Sequence, residues 1–247
     1  MRNLVLSLFL IFSFAVQGFG IDDTASNFIS LGEKYERGDG VEKDIKKAIE
    51  YYKKACEYKD GFGCYKLYVE NIGNDSLSNL SELLIKSCEY NYAESCAKLA
   101  TMYDHGYVFE KDIEKSNEYL IKACNLGESN SCVALSMNYV QGRGIEEDGN
   151  KSGELLQKSC DLDNAMGCYL LGKFSIPENK EDEKILYGYF KKSCDKLFGP
   201  GCFKLAQCYE NEIGTKKDIN KAKTLYRTSC NLGYQDACNA LKNILNK

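Results

Sequence analysis

Residues 38–64 read GDGVEKDIKKAIEYYKKACEYKDGFGC and contain the parts of a helical hairpin. Asp44 has a side chain that is favoured as the N-cap of a helix. Apolar side chains then recur at the spacing of one helix face, at Ala48, Tyr51, Tyr52, Ala55 and Cys56. A short turn follows, and a second helix begins near Cys64. The segment therefore predicts two antiparallel helices that meet at a C-x(7)-C pair.

This pattern repeats along the 247-residue chain, in which C-x(7)-C occurs six times and its first members step by 32, 36, 36, 34 and 36 residues. A leucine three residues after each second Cys, and small residues before both Cys of each pair, keep the same step. A constant period of this length predicts a repeat array. The six pairs are Cys56 and Cys64, Cys88 and Cys96, Cys124 and Cys132, Cys160 and Cys168, Cys194 and Cys202, and Cys230 and Cys238.

Each unit of the array is predicted to be a helix A, a loop and a helix B, and no strand-like alternation is found. The residues twelve positions before each first Cys are the predicted N-caps of the B helices: Asp44, Ser76, Asp112, Asp148, Asp182 and Asp218. Gly106 and Gly142 suit the C-caps of A helices. We expect an all-α protein, an α/α solenoid of about six hairpin repeats over residues 26–237, with a C-terminal capping helix over residues 238–247.

The spacing of each Cys pair predicts a local disulfide bond. The first Cys ends one helix and the second begins the next, so their Cα atoms come within reach of a bridge. Thiolate binding of a metal is the alternative, but zinc sites use shorter C-x(2–4)-C spacings together with histidines. Cys208 stands outside the pattern as a free thiol. It is interpreted as a small buried residue, and pairing with another chain is the alternative.

The N-terminal sequence MRNLVLSLFLIFSFAVQGFG, residues 1–20, predicts a secretory signal peptide. Arg2 precedes an apolar run over residues 4–16 that is short for a membrane span. An uncleaved anchor is the alternative. We therefore expect a secreted or periplasmic protein, with no membrane insertion after cleavage, in a compartment where disulfide bonds persist.

The composition excludes several classes of function. The chain has 32 Lys and Arg against 36 Asp and Glu, a net charge of -4, so a nucleic-acid partner is not expected. One histidine leaves few ways to build a metal site, and we expect no metal and no cofactor. That residue, His105, follows Asp104. It is a candidate general base, although helix ends also favour histidine.

The residues of the repeat resemble a known family. The G-x-G-V turn before the cap and the A-x-x-Y-Y-x-K-A-C segment after it are similar to Sel-like repeats, which are related to tetratricopeptide repeats. With one C-x(7)-C per repeat and a signal peptide, the chain resembles the Helicobacter cysteine-rich protein family. The match is most specific in the first and fourth units. The second and fifth units depart from it, at residues 71–78 and 175–178.

The resemblance implies a superhelix with a concave face and a β-lactamase classification, with binding and slow hydrolysis of penicillin-type compounds and a role in antibiotic resistance. The catalytic residues are unknown. Two S-x-x-K matches, Ser95 to Lys98 and Ser193 to Lys196, lack the companion motifs of serine β-lactamases and coincide with repeat positions. The alternative is a non-enzymatic exported scaffold, a monomer that binds a peptide, a host protein or a cell-wall fragment on its concave face, where tyrosines could line a groove.

Overall fold

A computed structural model describes residues 21–245 of the chain. The predicted signal peptide, residues 1–20, lies outside the described residues. Within the described range the chain forms thirteen helices and no strand. In chain order they are α1 (Ile21–Arg37), α2 (Ile45–Glu57), α3 (Gly61–Asn71), α4 (Leu77–Glu89), α5 (Ala93–His105), α6 (Ile113–Asn125), α7 (Ser129–Gln141), α8 (Gly149–Asp161), α9 (Ala165–Phe174), α10 (Lys180–Asp195), α11 (Gly199–Asn211), α12 (Ile219–Asn231) and α13 (Gln235–Leu245).

The helices alternate between two layers of a solenoid. The odd-numbered helices are the A helices and the even-numbered helices are the B helices, so that α1 and α2 form unit 1 and α11 and α12 form unit 6. Each helix packs against the one before it and the one after it. Neighbouring A helices also touch, as α9 does with α7 and with α11. The predicted all-α solenoid is confirmed. The surface of the A helices that points away from the B helices is called the A face below.

Most B helices begin at the predicted cap. The side chains of Asp44, Ser76, Asp112, Asp148 and Asp218 each accept a hydrogen bond from a backbone N–H in the first turn. The prediction for unit 5 is wrong, because α10 is capped by Asn179 and begins three residues earlier than expected. Asp182 lies inside the first turn, and its carboxylate accepts from the N–H of Glu178 and the side-chain amide of Asn179, both at 3.0 Å.

All six Cys pairs form disulfide bonds between the B helix of one unit and the following A helix, with Cα separations of 4.4–4.8 Å. The small residues beside them are required by this close approach. A Cβ atom on Gly63 would lie 2.6 Å from the Cβ of Ala55, and one on Gly201 would collide with the hydroxyl of Ser193. The predicted array of disulfide-stapled hairpins is therefore confirmed.

Buried serines add a further link inside single units, between a B helix and the A helix before it, which the sequence shows only as small residues. In four units the serine before the first Cys is fully buried, and its hydroxyl donates to a backbone carbonyl of the preceding A helix. The pairs are Ser87 with Gly61 at 2.6 Å, Ser159 with Ser129 at 2.9 Å, Ser193 with Ala165 at 2.8 Å and Ser229 with Gly199 at 2.7 Å. Each bond satisfies a buried polar group and fixes the B helix on the A helix of the same unit.

The last helix, α13, begins at Gln235 and so includes residues on both sides of the boundary predicted at residue 238. Ala237 and Ile244 pack against Ala206, Ala222 and Tyr226 of unit 6. Across residues 21–245, none of the helices combines the length and the apolar character needed to span a membrane.

Candidate binding surfaces

A tyrosine, an aspartate and a lysine form the same cluster in units 1, 3, 4 and 6. The aspartate N-cap donates its backbone N–H to the tyrosine carbonyl, and its side chain accepts from the backbone N–H of a lysine three residues later. The lysine ammonium then lies over the tyrosine ring at 4.7–5.4 Å from its centre. The lysines and tyrosines are Lys47 with Tyr35, Lys115 with Tyr103, Lys151 with Tyr139 and Lys221 with Tyr209.

The sequence analysis predicted the aspartates as helix caps but missed the lysines that pair with them. A signal was present, because the third residue after the cap is lysine in these four units, whereas it is Asn79 in unit 2 and Ile185 in unit 5. A cation over an aromatic ring stabilises exposed sites by roughly 0.5–1 kcal/mol, so the cluster helps to fix each A helix against its own B helix.

Two of these tyrosines form the floor of grooves between consecutive B helices. The first groove, about 350 Å³, lies between α6 and α8 with Leu135 and Tyr139 of α7 beneath it. The second, about 520 Å³, lies between α10 and α12 above Leu205 and Tyr209 of α11. The charged groups at the rim of the second groove are already paired, since Lys191 contacts Asp195 at 2.7 Å. These grooves follow from the repeat itself.

On the A face, neighbouring A helices are joined by aromatic pairs whose ring centres are 4.8–5.5 Å apart. The pairs are Tyr65 with Tyr92, Tyr169 with Phe198 and Phe203 with Tyr234. These four tyrosines are therefore engaged in packing between units and are not free to line a concave groove.

One charged cluster on the A face surrounds Glu94. The hydroxyl of Tyr65 donates to its carboxylate, Tyr92 does so at 3.3 Å and the Lys98 ammonium lies at 3.4 Å. Burial alone would raise the pKa of Glu94, but these donors outweigh it and hold the pKa below its ordinary value. The cluster is therefore a satisfied ionic group.

A pocket of about 220 Å³ lies between the A helices α9 and α11, with α10 behind it. We call it the unit-5 pocket, and its lining residues are Gly172, Lys173, Ser175, Leu186, Phe190, Lys204, Gln207, Cys208 and Ile213. Cys208 is 1% exposed and is the one free cysteine among residues 21–245. Burial raises the pKa of its thiol to about 12, so the thiol stays protonated at neutral pH.

The two serines of the S-x-x-K matches are inaccessible. Ser95 is fully buried and its hydroxyl lies 2.7 Å from that of Ser87. Ser193 is also fully buried and donates to the carbonyl of Ala165 at 2.8 Å. Lys98 pairs with Glu94, and Lys196 pairs with Asp163 at 2.9 Å. Neither serine contacts solvent, so neither hydroxyl can meet a ligand in this structure.

His105 lies in the last turn of α5 with half of its side chain exposed. Its Nδ1 is 3.0 Å from the carbonyl of Thr101, and its ring stacks on Tyr107. The neighbouring Asp104 carboxylate is held by Arg143 at 2.5 Å and lies 3.8 Å from the imidazole. The surroundings are those of a helix end. Within residues 21–245 no group of three or more His, Cys, Asp or Glu side chains is arranged to hold a metal ion.

The chain matches the Sel1 repeat family in four segments, residues 29–57, 93–128, 129–164 and 199–234, which together cover more than half of it. These segments correspond to units 1, 3, 4 and 6, the units that contain the Tyr, Asp and Lys cluster. Units 2 and 5 lie outside the matches, as their departures from the repeat pattern predict. Among curated proteins, no sequence matches the chain.

Solved structures share the fold. The Escherichia coli protective antigen c5321, described as displaying an SLR fold, has a TM-score of 0.78 at 22% identity, covering 92% of this chain and 50% of its own. A Sel1 repeat protein from Oxalobacter formigenes has a TM-score of 0.72 at 20% identity, covering 90% and 66%. The chain thus spans about half of the first structure and about two thirds of the second.

Cysteine-rich protein B of Helicobacter pylori is 33% identical over 54% of this chain and 99% of its own, with a TM-score of 0.43. The resemblance to Sel-like repeat proteins is confirmed, whereas the β-lactamase activity that it implied stays a prediction. The period, the bridged hairpins and the four matched segments agree on one conclusion: the chain belongs to the Sel1 repeat family.

Proposed function

We propose that this protein is a non-catalytic scaffold outside the cytoplasm that binds polypeptide segments on its A face. The supporting observation is the row of side chains two and five residues after the second Cys of the first five pairs. These positions lie opposite the buried Cys and Leu of the same helix, because an α-helix turns about 100° per residue. They are half-buried or exposed and of mixed chemistry: Lys66, Val69, Lys98, Thr101, Ala134, Met137, Leu170, Lys173, Lys204 and Gln207.

The six bridges support the same proposal. They indicate an oxidising compartment, extracellular or periplasmic. They also fix each A helix against the preceding B helix, so that the A face is ordered before a partner arrives. A preorganised surface loses little conformational entropy on binding, which favours affinity.

Selection of peptides from a random library tests the proposal. The oxidised protein, residues 21–247, is immobilised, and the peptides that bind it are recovered. Binding of the selected peptides is measured by fluorescence anisotropy with the double variant V69R/T101R. Both positions are exposed on the A face, so their substitution is expected to weaken binding at least tenfold. The matched control L77R/T224R makes the same change in charge at exposed, neutral positions on the B helices and is expected to bind normally. Loss of binding in the control alone would contradict the proposal.

Turnover of a chromogenic β-lactam by the same purified, oxidised protein tests the enzymatic prediction. Because Ser95 and Ser193 are buried and hydrogen-bonded, the scaffold proposal expects no turnover. Turnover that persisted in S95A and S193A would instead assign hydrolysis to residues outside the S-x-x-K matches, and would contradict a non-catalytic role.

A further inference from the structure

The unit-5 pocket exists because unit 5 departs from the repeat. Helix α9 ends at Phe174, and Ser175 stands at the position that holds tyrosine in units 1, 3, 4 and 6. On the opposite side, Cys208 of α11 stands where the A helices of units 3 and 4 have the larger Met102 and Asn138. Two smaller side chains thus leave space that the other units fill.

The wall of the pocket and its rim have different chemistry. The wall behind it is apolar, with Leu186 and Phe190 of α10, Ile213 and the buried side of Cys208. Lys173, Lys204 and Gln207 lie on its A-face side, where Lys173 is exposed and the other two are half-buried. A ligand that fits both parts must combine an apolar group with a negative charge.

The two lysines are not neutralised by neighbouring acids. Among residues 21–245 neither Lys173 nor Lys204 has a carboxylate oxygen within 4.0 Å, whereas Lys66 and Lys98 of the same face pair with Glu36 and Glu94. The Lys204 ammonium donates to the side-chain carbonyl of Gln207 at 3.0 Å.

Glu183 of α10 is the acidic residue whose charge helps to raise the pKa of the Cys208 thiol. Its carboxylate already has partners within the protein. Its carboxylate pairs with Lys180 at 2.9 Å and accepts the N–H of Gly214 at 3.4 Å. The rim therefore presents two positive charges that no carboxylate among residues 21–245 neutralises, and their other contacts are aromatic rings at 5.7–6.0 Å and the Gln207 amide.

The volume decides what kind of group fits. About 220 Å³ is below the range of roughly 300–1,000 Å³ that is usual for sites of whole small molecules. It is enough for one amino-acid residue. A C-terminal residue carries a carboxylate and a side chain on the same Cα, and so can reach the lysines and the apolar wall together, which an internal acidic residue cannot do.

We infer that the unit-5 pocket binds the C-terminal residue of a partner polypeptide, with the free carboxylate on Lys173 and Lys204 and an aliphatic side chain against Leu186, Phe190 and Ile213. This inference rests on the proposed function, and it names the part of the A face that selects a chain end. Hydrogen bonds between ionised groups are stronger than those between neutral groups. Binding is therefore expected to require an ionised C-terminal carboxylate and to weaken when that group is an amide.

The probe is a fluorescein-labelled peptide Gly-Ser-Gly-Ser-Gly-Leu, compared as the free acid and as the C-terminal amide with the oxidised protein. We expect the free acid to bind at least tenfold more tightly than the amide, and binding to fall at least tenfold in K173Q/K204Q. The control K53Q/K86Q also removes two lysines, at exposed positions of the B helices α2 and α4, and is expected to leave binding within twofold. A peptide ending in Gly is expected to bind more weakly than the one ending in Leu.

The variant C208M tests the apolar half, because methionine occupies this helix position in unit 3 and would fill the pocket. It is expected to abolish probe binding while the circular dichroism and melting temperature stay within the range of the parent. Equal binding of acid and amide, no binding of either, or loss of binding in K53Q/K86Q would overturn the inference. If library peptides bind the A face but the free-acid probe does not, the scaffold proposal stands and the pocket assignment fails.

Discussion

At the scale of the residue, one backbone position recurs in all six hairpin turns. The third residue after each first Cys has a positive φ, between 59° and 93°. Glycine adopts this conformation without cost, and asparagine or aspartate adopts it at a small cost. The six residues are Lys59, Asn91, Gly127, Asp163, Leu197 and Gly233. The turn geometry is thus set by the bridged helices, and the residue type adapts to it.

Leu197 is the least suited of these residues, and its side chain is 65% exposed, so burial does not compensate for its conformation. The substitution L197G is expected to raise the free energy of unfolding by about 1 kcal/mol, because the left-handed conformation costs other residues roughly 1–2 kcal/mol. Urea denaturation of the oxidised protein measures it. The reverse change at the same position of another turn, G127L, is expected to lower stability, and an unchanged midpoint for L197G would contradict the argument.

Glu36 is a residue whose charge supports the fold. Burial alone would raise its pKa, but hydrogen bonds from Lys66 and Tyr52 outweigh this and lower the pKa below its ordinary value. The carboxylate thus connects α1, α2 and α3, with Lys66 at 2.7 Å. A lowered pKa means that this stabilisation is complete above the ordinary carboxyl pKa and is lost as the pH falls through the lowered one.

The variant E36Q should therefore be less stable than the parent at pH 7 and should lose less stability on acidification. Urea midpoints measured from pH 7 down to pH 3 would show the two curves converging. The control E118Q changes an exposed glutamate on α6, and we expect its curve to run parallel to that of the parent. Parallel curves for E36Q would show that the Glu36 contacts do not contribute to stability.

At the scale of the element, the sequence predicts what depends on local chemistry. The 36-residue step, the aspartate caps and the C-x(7)-C hairpins are local patterns, and they determined the helices and the bridges. The predicted cap of α10 was wrong, because Asn179 and Asp182 are both favourable N-cap residues. Only the conformation of the loop before α10 shows that Asn179 is the one used. The serine links between the two helices of a unit and the unit-5 pocket were missed, since they join residues that are far apart in the sequence.

The hairpin between α10 and α11 tests how closely these elements must approach. In G201A the new Cβ would collide with the hydroxyl of Ser193, which is fixed by its bond to the Ala165 carbonyl. We expect a loss of about 2 kcal/mol, in the range of overpacked cores. The matched control is G188A, in the middle of α10, where a Cβ meets no atom within 4 Å and should stabilise the helix by roughly 0.5–1 kcal/mol. Similar effects of the two changes would refute the close-packing argument.

At the scale of the whole molecule, the bridges join only consecutive helices, and the two bridged cysteines are always 8 residues apart. Each such short loop contributes about 2.5 kcal/mol in the chain-entropy model. Because each unit contacts mainly its neighbours, stability is close to a sum over units and interfaces. The effect of losing a bridge therefore depends on its place in the array.

Replacing the last bridge with C230A/C238A should expose the amides of α12 and α13 to hydrogen exchange and leave units 1–4 protected. Replacing the central bridge with C124A/C132A should lower protection in the units on both sides of it. Exchange measured by mass spectrometry on intact, oxidised proteins separates the two patterns. Uniform loss of protection along the chain in both variants would indicate a single cooperative domain, contrary to this expectation.

The short separation within every bridge also bears on biosynthesis. A polypeptide that is threaded through a translocation channel with its N-terminus first presents each cysteine pair together, before the next pair emerges. Oxidation can then proceed in the order of synthesis, because the partner of each second Cys is the nearest thiol that has already emerged; Cys208, six residues after Cys202, emerges only after that pair. We therefore expect the bridges to form without reshuffling by an isomerase, and a chain that is cut short between two units to carry the correct bridges of the units already made.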